Sequence, residues 1–395
     1  MISIKNFVNT NIEILRQSDA FRGFRTTVYF TAGTVNNPDV EGENFATLRS
    51  VVDFDNKVAA SAAVRQSVNE YFRNGGTSLC LITPTDFTLE GFKADMYAIA
   101  KVVEDYYFIC LGDSVTMKTA GYPQSQVFAI ADFCSGNGWS DTDLKSLNRI
   151  RLCLTTDTET FVVDNNLLNT KTAVKYSTLV NSGDLVDAAL LIGAFFSQVD
   201  VTQNGAIQDY NFHTEFLGEE WFEDINQETF NLLTNNKTNG SYNLIGKVAN
   251  RILNIGGDFV NPDGVSISLD FGVSCIERDL DYAMIERLFG KLPLTQEGQS
   301  RLVDAIKTQL NKYVDNGFLE TDATYMGDTH KINYNGKQYT VVENGTIMPL
   351  GYRVFFVPIN AISVADKSAK RFPYMFVAMQ SVHGARVIQV NGSII

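Results

Sequence analysis

The chain has 395 residues, a length typical of about two to three domains. It carries 32 basic and 45 acidic side chains, for a net charge of −13, with 45% hydrophobic and 19% charged residues. This composition provides a full apolar core and excludes a disordered chain, and the acidic balance argues against nucleic acid as a partner. The longest apolar run, Ala188 to Phe196, is less than half a bilayer span, so we expect no membrane insertion.

The first half of the chain alternates predicted helices with predicted strands. Residues 1–22 are expected to form an extended arm, because they include apolar side chains but no turn that folds the segment back. Asn74-Gly75-Gly76 is a strong helix stop, since glycine readily adopts the left-handed conformation at a helix C-terminus. The predicted elements are strand 24–31, helix 55–74, strand 78–82, helix 89–105, strand 106–111, helix 123–133 and strand 149–155. Such alternation is typical of α/β units around a largely parallel sheet.

The second half becomes richer in strands toward its end. Helices are predicted over 183–196, 227–235 and 279–289, with turn-rich sequence and short strands over 236–270. Thr295 is expected to cap a long helix that ends at Asn316-Gly317. Asn335-Gly336 between two apolar runs predicts a β-hairpin, and further strands are expected over 352–359, 374–380 and 386–390. The sequence therefore predicts an α/β fold, α+β overall, in which an alternating helix–strand domain precedes a mixed, strand-rich C-terminal domain.

Sites of chemistry are hard to find in this sequence. It contains no nucleophile elbow, phosphate-binding loop or H-E-x-x-H motif, and its five cysteines are widely spaced, as expected of buried free thiols. Its three histidines are far apart, and the acidic residues are grouped without the spacing of a calcium loop. The residues that could have formed a metal or nucleotide site, and that we instead expect to be surface, strand or loop residues, are His213, His330, His383, Asp141, Asp143, Asp157, Glu159 and the loop Gly136-Asn137-Gly138. We expect no catalytic residue, no metal and no cofactor.

The two ends of the chain differ from the rest in charge and apolarity. Residues 1–27 have a net charge of +2 and residues 365–395 a net charge of +3, on a body that is strongly acidic. The C-terminal residues are β-branched, apolar and free of proline, which makes an unpaired strand there an aggregation hazard. We therefore expect this strand to pair, either in its own sheet or with another chain by strand addition. Head-to-tail contacts of the second kind would produce rings or helical tubes.

Several landmarks, in their order along the chain, give a resemblance to a known family. The stretch Val68-Asn-Glu-Tyr-Phe-Arg-Asn-Gly-Gly76 before a short apolar strand resembles the F-x-N-G-G signature of tail sheath proteins from contractile bacteriophages. Further landmarks are similar to the second half of that family. They are Ile276-Glu-Arg-Asp279, Leu294-Thr295-x-x-Gly298, Gly351-Tyr352, Ala365 to Arg371 and His383-Gly384-Ala385.

The resemblance implies a structural subunit of the virion tail, assembled in the host cytoplasm and not an enzyme. Such a subunit polymerises helically with itself around a tail tube protein and contacts baseplate and tail-terminator proteins. It drives the tube into the host envelope by rearranging from an extended to a contracted state. Strand exchange between subunits is expected to involve Ile2, Ile4, Phe7, Val387, Ile388, Val390, Ile394 and Ile395. Contacts with the tube or with a neighbouring subunit are expected from Lys367, Lys370 and Arg371.

The same resemblance suggests how the chain is divided into domains. An N-terminal arm, 1–22, is followed by an outer α/β domain, 23–260, an inner C-terminal domain, 261–372, and C-terminal strands, 373–395. The outer domain has room for two subdomains. Two other interpretations stay open: a sheath-related baseplate or sheath-cap protein, which would form one closed ring, and an α/β enzyme with a ligand pocket lined by histidine.

Overall fold

The structure is a computed structural model that forms two compact units. It describes residues 23–103, 106–112, 122–135, 151–164, 166–167, 172–176, 187–205, 207, 214–215, 227–235, 242–248, 251–255, 266–289, 292–382 and 384–390. The N-terminal unit consists of Gly23–Val199 and Asp209–Ser268, and the C-terminal unit of Asp200–Gln208 and Leu269–Ile395. The predicted arm, 1–22, lies outside the described residues.

Strands of the N-terminal unit form one large sheet and two smaller ones. The strands are β1 (Thr26–Phe30), β2 (Thr34–Val35), β3 (Phe45–Leu48), β4 (Val58–Ala59), β5 (Ser78–Ile82), β6 (Tyr106–Leu111), β7 (Arg151–Thr156), β8 (Thr172–Tyr176), β9 (Thr214–Glu215), β10 (Tyr242–Val248) and β11 (Arg251–Ile255). The large sheet has the order β3-β5-β1-β6-β7-β8, with β3 antiparallel to β5 and every other pair parallel. The predicted α/β class is confirmed.

Helices cover this sheet because its strands are apolar on both faces, as parallel strands must be. The helices of the unit are α1 (Val51–Lys57), α2 (Ala62–Arg73), α3 (Leu89–Ile99), α4 (Gln124–Cys134), α5 (Phe161–Asp164), α6 (Leu190–Ser197) and α7 (Gln227–Asn235). Helices α3 and α4 pack on one face through Phe92, Met96, Val127 and Ile130, all of them fully buried. Helices α2 and α6 pack together, and α6 lies against β1 and β6.

Three of the helix predictions in this unit were wrong in their bounds. Helix α3 ends at Ile99, six residues before the predicted end at residue 105. The predicted helix 55–74 is two helices separated by β4, because Ser50 caps α1 and Ser61 caps α2 with side-chain hydrogen bonds to Asp53 N and Val64 N. Residues 183–186 of the helix predicted over 183–196 lie outside the described residues, and the described helix α6 begins at Leu190. Before it, Asp187 is a buried acceptor for the hydroxyl of Tyr29. Strands β3 and β8 were not predicted.

Two long helices form the first part of the C-terminal unit. Helix α8 (Ile267–Phe289) begins well before the predicted start at 279, because Ile267, Leu269 and Phe271 already have the burial of a packed helix. Helix α9 (Gln296–Asp315) starts after Thr295, whose side chain accepts a hydrogen bond from Gly298 N, and ends before Gly317 at φ 80°. The predicted cap and stop of α9 are confirmed.

Strands dominate the remainder of this unit. They are β12 (Ala323–Thr324), β13 (His330–Tyr334), β14 (Lys337–Val342), β15 (Ile347–Met348), β16 (Tyr352–Phe356), β17 (Met375–Ser381) and β18 (Gly384–Val390), with a short helix α10 (Val364–Ser368) before β17. The predicted hairpin β13–β14 is confirmed, with left-handed φ values of 51° and 73° at Asn335 and Gly336. Strands β16, β17 and β18 form an antiparallel sheet in that order.

A small core joins the hairpin to this C-terminal sheet. Val341 and Val342 of β14 pack with Phe376 and Ala378 of β17 in one buried cluster. All seven residues of β17 are buried, which fixes the sheet around its central strand. In the part of the chain that the structure describes, no helix is long and apolar enough to cross a membrane.

Candidate functional site

Strand β18 lies at one edge of the C-terminal sheet and pairs with a single described strand. It runs antiparallel to β17, with Met375 opposite Val390, Val377 opposite Ile388 and Met379 opposite Arg386. Among the described residues, no strand follows β18 in the sheet order. This edge is where another strand could be added.

Hydrogen bonds elsewhere in the sheet show which backbone groups of β18 face that edge. In an antiparallel pair, both backbone groups of a residue point to the same neighbour, and successive residues alternate. Val357 N donates to Tyr374 O (3.0 Å) and Gln380 N donates to Gly351 O (2.8 Å), so even-numbered residues of β17 face β16. Odd-numbered residues of β17 therefore face β18.

It follows from the register that even-numbered residues of β18 bond to β17, whereas odd-numbered ones face away. Ala385, Val387 and Gln389 therefore direct their amide and carbonyl groups to the edge without a described strand. The sequence pointed to Val387 but not to Ala385 or Gln389, because the alternation of outward backbone groups depends on the pairing register. An incoming strand would have to hydrogen-bond to them.

The sheet that carries this edge is anchored to helix α9. Gln299, which is buried on α9, donates through Nε2 to Val357 O at 2.9 Å. Tyr352 of β16 donates its hydroxyl to Asn311 Oδ1 at 2.8 Å. On the side of β17 away from β18, Glu320 N donates to Gln380 O at 3.0 Å. The central strand is thus held on one side, while β18 depends on β17 alone among the described strands.

Three basic side chains lie at the C-terminal end of helix α10 and in the turn after it. Ser363 caps α10 by accepting a hydrogen bond from Asp366 N (2.9 Å), and Lys370 ends the turn in the left-handed conformation, with φ 52°. This turn places Lys367, Lys370 and Arg371 close together, and all three are exposed. We call them the basic triad.

The acidic residue beside the basic triad is engaged elsewhere. Asp366 Oδ2 accepts hydrogen bonds from Ser363 Oγ at 2.7 Å and from Tyr334 OH at 2.8 Å. No described carboxylate forms a salt bridge with any member of the triad. Its three charges are therefore free to meet an acidic partner.

Charge is divided unequally between the two units. Residues 269–395 carry 13 acidic and 13 basic side chains. The N-terminal unit carries 29 acidic and 16 basic side chains, for a net charge of −13. The whole chain has the same net charge. Residues 269–395 are therefore neutral overall but carry the basic triad. The excess of acidic side chains lies in the N-terminal unit.

The remaining predicted residues are placed as follows. Val387, Ile388 and Val390 lie on β18, whereas Ile2, Ile4, Phe7, Ile394 and Ile395 lie outside the described residues. His330 packs against Phe376, with ring centroids 5.6 Å apart. His213, His383, Asp141, Asp143 and residues 136–138 lie outside the described residues.

Histidine, cysteine and carboxylate side chains form no metal-binding cluster in the described part of the chain. No group of three His, Cys, Asp or Glu residues there is arranged to hold a metal ion. All five cysteines are buried and free, as predicted. Burial raises the pKa of the Cys80 and Cys110 thiols, which disfavours the reactive thiolate.

Comparison with known proteins gives matches of structure but not of sequence. No protein-family model matches the chain, and no curated protein matches it. A chain of the anti-feeding prophage baseplate, solved with sixfold symmetrisation, has a TM-score of 0.64 at 14% identity, covering 95% of this chain and 96% of that one. A chain of the anti-feeding prophage helical sheath in its contracted state has a TM-score of 0.56 at 15% identity, covering 86% and 95%.

A third match is to the same system in another state. A chain of the anti-feeding prophage baseplate in the contracted state has a TM-score of 0.52 at 14% identity, covering 86% of this chain and 96% of that one. At these identities the similarity establishes the fold alone. The resemblance to contractile tail sheath proteins is thus confirmed for the fold, which this chain shares with sheath and baseplate chains of a contractile tail-like system.

Proposed function

We propose that this protein is a structural subunit of a contractile tail sheath. The observation that supports this proposal is the match to a contracted helical sheath, which spans most of both chains. In this proposal the subunit polymerises around a tail tube in the virion and contacts baseplate and tail-terminator proteins at the two ends. The N-terminal unit is the outer domain and the C-terminal unit the inner one.

Strand addition at β18 is the proposed link between subunits. A segment from a neighbour would pair with the outward backbone groups of Ala385, Val387 and Gln389, and each such hydrogen bond contributes about 0.5–1.5 kcal/mol net. The apolar residues Ile2, Ile4 and Phe7 of one copy, and Ile394 and Ile395 of another, are the proposed partners in this exchange. Backbone pairing of this kind tolerates rotation of the folded units on either side.

Contraction then requires two packings of the same folded units. An extended packing, separated by a barrier from a more stable contracted one, stores free energy that is released when the baseplate triggers the change. The basic triad is proposed to bind either the tube or a neighbour in one of these packings. Neither packing involves bond cleavage or a cofactor, so we propose no enzymatic role.

Proline substitution at β18 tests the strand-addition step. Val387→Pro removes an outward amide that β17 does not use, and proline is tolerated on the free side of an edge strand. We expect a folded protein with nearly unchanged melting temperature that forms no tubes by electron microscopy and sedimentation. Val387→Thr keeps the amide and a β-branched side chain, and it should form tubes.

A second proline variant is a control that removes an amide used within the sheet. Ile388→Pro removes an amide that bonds to β17, so it should lower the melting temperature as well as prevent assembly. Tube formation by Val387→Pro at the wild-type protein concentration would contradict strand addition at this edge.

A second candidate function is a baseplate or sheath-cap protein, which the baseplate match at TM-score 0.64 favours. Such a protein would assemble into one closed ring and stop, whereas a sheath subunit would continue to add rings. Electron microscopy of the purified wild-type protein over a range of concentrations separates the two, because only a sheath subunit gives particles of increasing length.

A further inference from the structure

The tip of the β13–β14 hairpin is joined to helix α10 by hydrogen bonds. Tyr334, the last residue of β13, donates its hydroxyl to Asp366 Oδ2 at 2.8 Å. The same carboxylate oxygen accepts a hydrogen bond from Ser363 Oγ at 2.7 Å. Asn335 in the hairpin turn donates through Nδ2 to Ala361 O at 2.9 Å, just before α10. Because these contacts come from both elements, they hold the hairpin turn and α10 together as one local surface.

Four basic side chains are exposed on this surface. Lys337 begins β14, directly after the hairpin turn, and the other three are the basic triad. Arg371 N donates to Asp366 O at 2.9 Å, which folds the end of the triad back onto α10. Among the described residues, no carboxylate forms a salt bridge with any of the four. We call Lys337 and the basic triad the cationic surface.

Apolar side chains are exposed next to these charges. Val364 is 83% exposed and precedes Lys367 by three residues on α10, a spacing that puts both side chains on one face of the helix. Tyr374 is 41% exposed, and its ring centroid lies 5.3 Å from that of Tyr334, which contacts α10. A partner that fits this surface therefore combines carboxylates with apolar or aromatic side chains.

One segment of this chain has that composition. Residues 216–226, Phe-Leu-Gly-Glu-Glu-Trp-Phe-Glu-Asp-Ile-Asn, carry four acidic side chains and no basic one, around the pair Trp221-Phe222. They lie outside the described residues, between β9, which ends at Glu215, and α7, which begins at Gln227. The first two residues of α7 are exposed, so the C-terminal end of this segment joins the described structure at the surface of the N-terminal unit. We call residues 216–226 the acidic segment.

We infer that the cationic surface of one copy binds the acidic segment of a second copy. The inference rests on the proposed self-assembly and specifies one of its contacts. Four basic side chains meet four acidic ones, and Val364 and Tyr374 offer apolar contacts to Trp221 and Phe222. Because the two partners are different parts of the chain, the contact is head to tail, as a ring or a helical tube requires. Charge complementarity of this kind sets the orientation in which copies associate.

A peptide-binding measurement tests this contact directly. A fluorescein-labelled peptide of residues 216–226 is titrated with full-length protein below the concentration at which it assembles, and fluorescence anisotropy reports binding. We expect saturable binding that weakens as the salt concentration rises, because the paired charges are exposed. Lys337→Glu combined with Lys370→Glu should weaken binding by about tenfold or more. The matched control combines Lys101→Glu with Lys307→Glu, which changes the net charge equally at exposed lysines outside the cationic surface and should leave binding unchanged.

A variant of the acidic segment distinguishes a contact between copies from a contact within one copy. The variant carries Glu219→Gln, Glu220→Gln, Glu223→Gln and Asp224→Asn, so its own segment cannot compete with the peptide. We expect the peptide to bind this variant and the wild type with equal affinity. Binding to the variant alone would mean that the segment occupies the cationic surface of its own copy, which would overturn the inference. Binding to neither protein would also overturn it and would point to the tube as the partner of this surface.

Assembly of the same variant relates the contact to the proposed function. Neutralising the acidic segment should raise the critical concentration for tube formation, measured by sedimentation, by about tenfold or more. Wild-type protein that forms neither tubes nor rings would overturn the proposed function, whether or not the peptide binds. If the wild type assembles and the variant assembles at the same concentration, the proposed function stands and the contact between the acidic segment and the cationic surface is overturned.

Discussion

The large N-terminal sheet and the small C-terminal sheet have different edges. The N-terminal sheet ends in β3, with four residues, and β8, with five, and short edge strands offer little to an incoming chain. The C-terminal sheet ends in the seven-residue β18. Natural proteins avoid long unprotected edges, so the length of β18 favours a function for that edge.

The buried apolar clusters next to the two sheets differ in size as well. Residues of β1, β5, β6 and β7 in the N-terminal unit share one buried cluster with α3 and α4. The cluster beneath the C-terminal sheet is much smaller and is shared with a hairpin. Truncating a side chain of the larger cluster should therefore cost more stability than truncating one at the small sheet. Substitutions in both units test this difference.

Phe92→Ala should have the largest effect on the stability of the unassembled protein. Phe92 is fully buried between Phe30 and Phe133, at centroid distances of 5.0 and 6.3 Å. Losing a buried phenylalanine costs about 3–5 kcal/mol of unfolding free energy. Urea unfolding followed by tryptophan fluorescence and circular dichroism measures the loss.

Phe356→Ala is the same truncation at an exposed position of the C-terminal sheet. Phe356 lies on β16 and is 39% exposed, so the same truncation should cost about 1 kcal/mol or less. Equal losses for the two variants would contradict the comparison, because the C-terminal sheet would then be packed as tightly as the N-terminal one.

Strands with apolar residues on both faces were predictable from sequence. Ser78–Ile82 and Tyr106–Leu111 match their predicted bounds, since each is a continuous apolar run between clear boundaries. β3 was missed because four residues after an Asn- and Gly-rich loop carry almost no periodic signal. The start of α8 was missed because the Asn- and Gly-rich turns before it obscured the buried Ile267 and Leu269.

The candidate sites were predictable only in part. The basic triad is visible as charges close together in sequence, and its exposure agrees with either a contact or a solvated turn. The outward groups of Ala385, Val387 and Gln389 depend on the register between β17 and β18, in which Ser381 lies opposite Gly384. No local pattern in the sequence encodes that register.

Tyr313→Phe tests a buried polar contact of the C-terminal unit and should have an intermediate effect. The hydroxyl of Tyr313 donates to Asp279 Oδ2 at 2.8 Å, and Lys312 Nζ lies 3.5 Å from Oδ1. Both Tyr313 and Asp279 are buried, so losing this donor should cost about 1–3 kcal/mol. Thermal unfolding at pH 7 measures the change.

The pH dependence of this variant distinguishes the hydrogen bond from packing. Burial raises the pKa of Asp279, whereas Lys312 and Tyr313 oppose that rise. Without the hydroxyl, the pKa should rise further, and the loss of stability should shrink as the pH is lowered and the carboxyl becomes protonated. A loss that is the same at pH 7 and pH 4.5 would assign the effect to packing.

Tyr352→Phe removes a partly buried hydrogen bond to Asn311. It should lower the unfolding free energy by less than Tyr313→Phe does.

Asp95→Asn should have a small effect of the opposite sign. Burial, then the charges of Glu43 and Asp86, raises the pKa of Asp95 from 3.8 to about 6 in the folded protein. A carboxyl with a raised folded-state pKa favours folding when protonated, so its contribution is full below about pH 4 and is lost as the pH rises through 6. Neutral asparagine keeps the contribution at every pH.

The expected gain for Asp95→Asn at pH 8 is about 1 kcal/mol, because partial exposure of the side chain screens a shift that would otherwise be worth about 3 kcal/mol. At pH 4 the variant and the wild type should have equal unfolding free energies. A variant that is less stable than wild type at pH 8 would mean that Asp95 already has a cationic partner within its own chain.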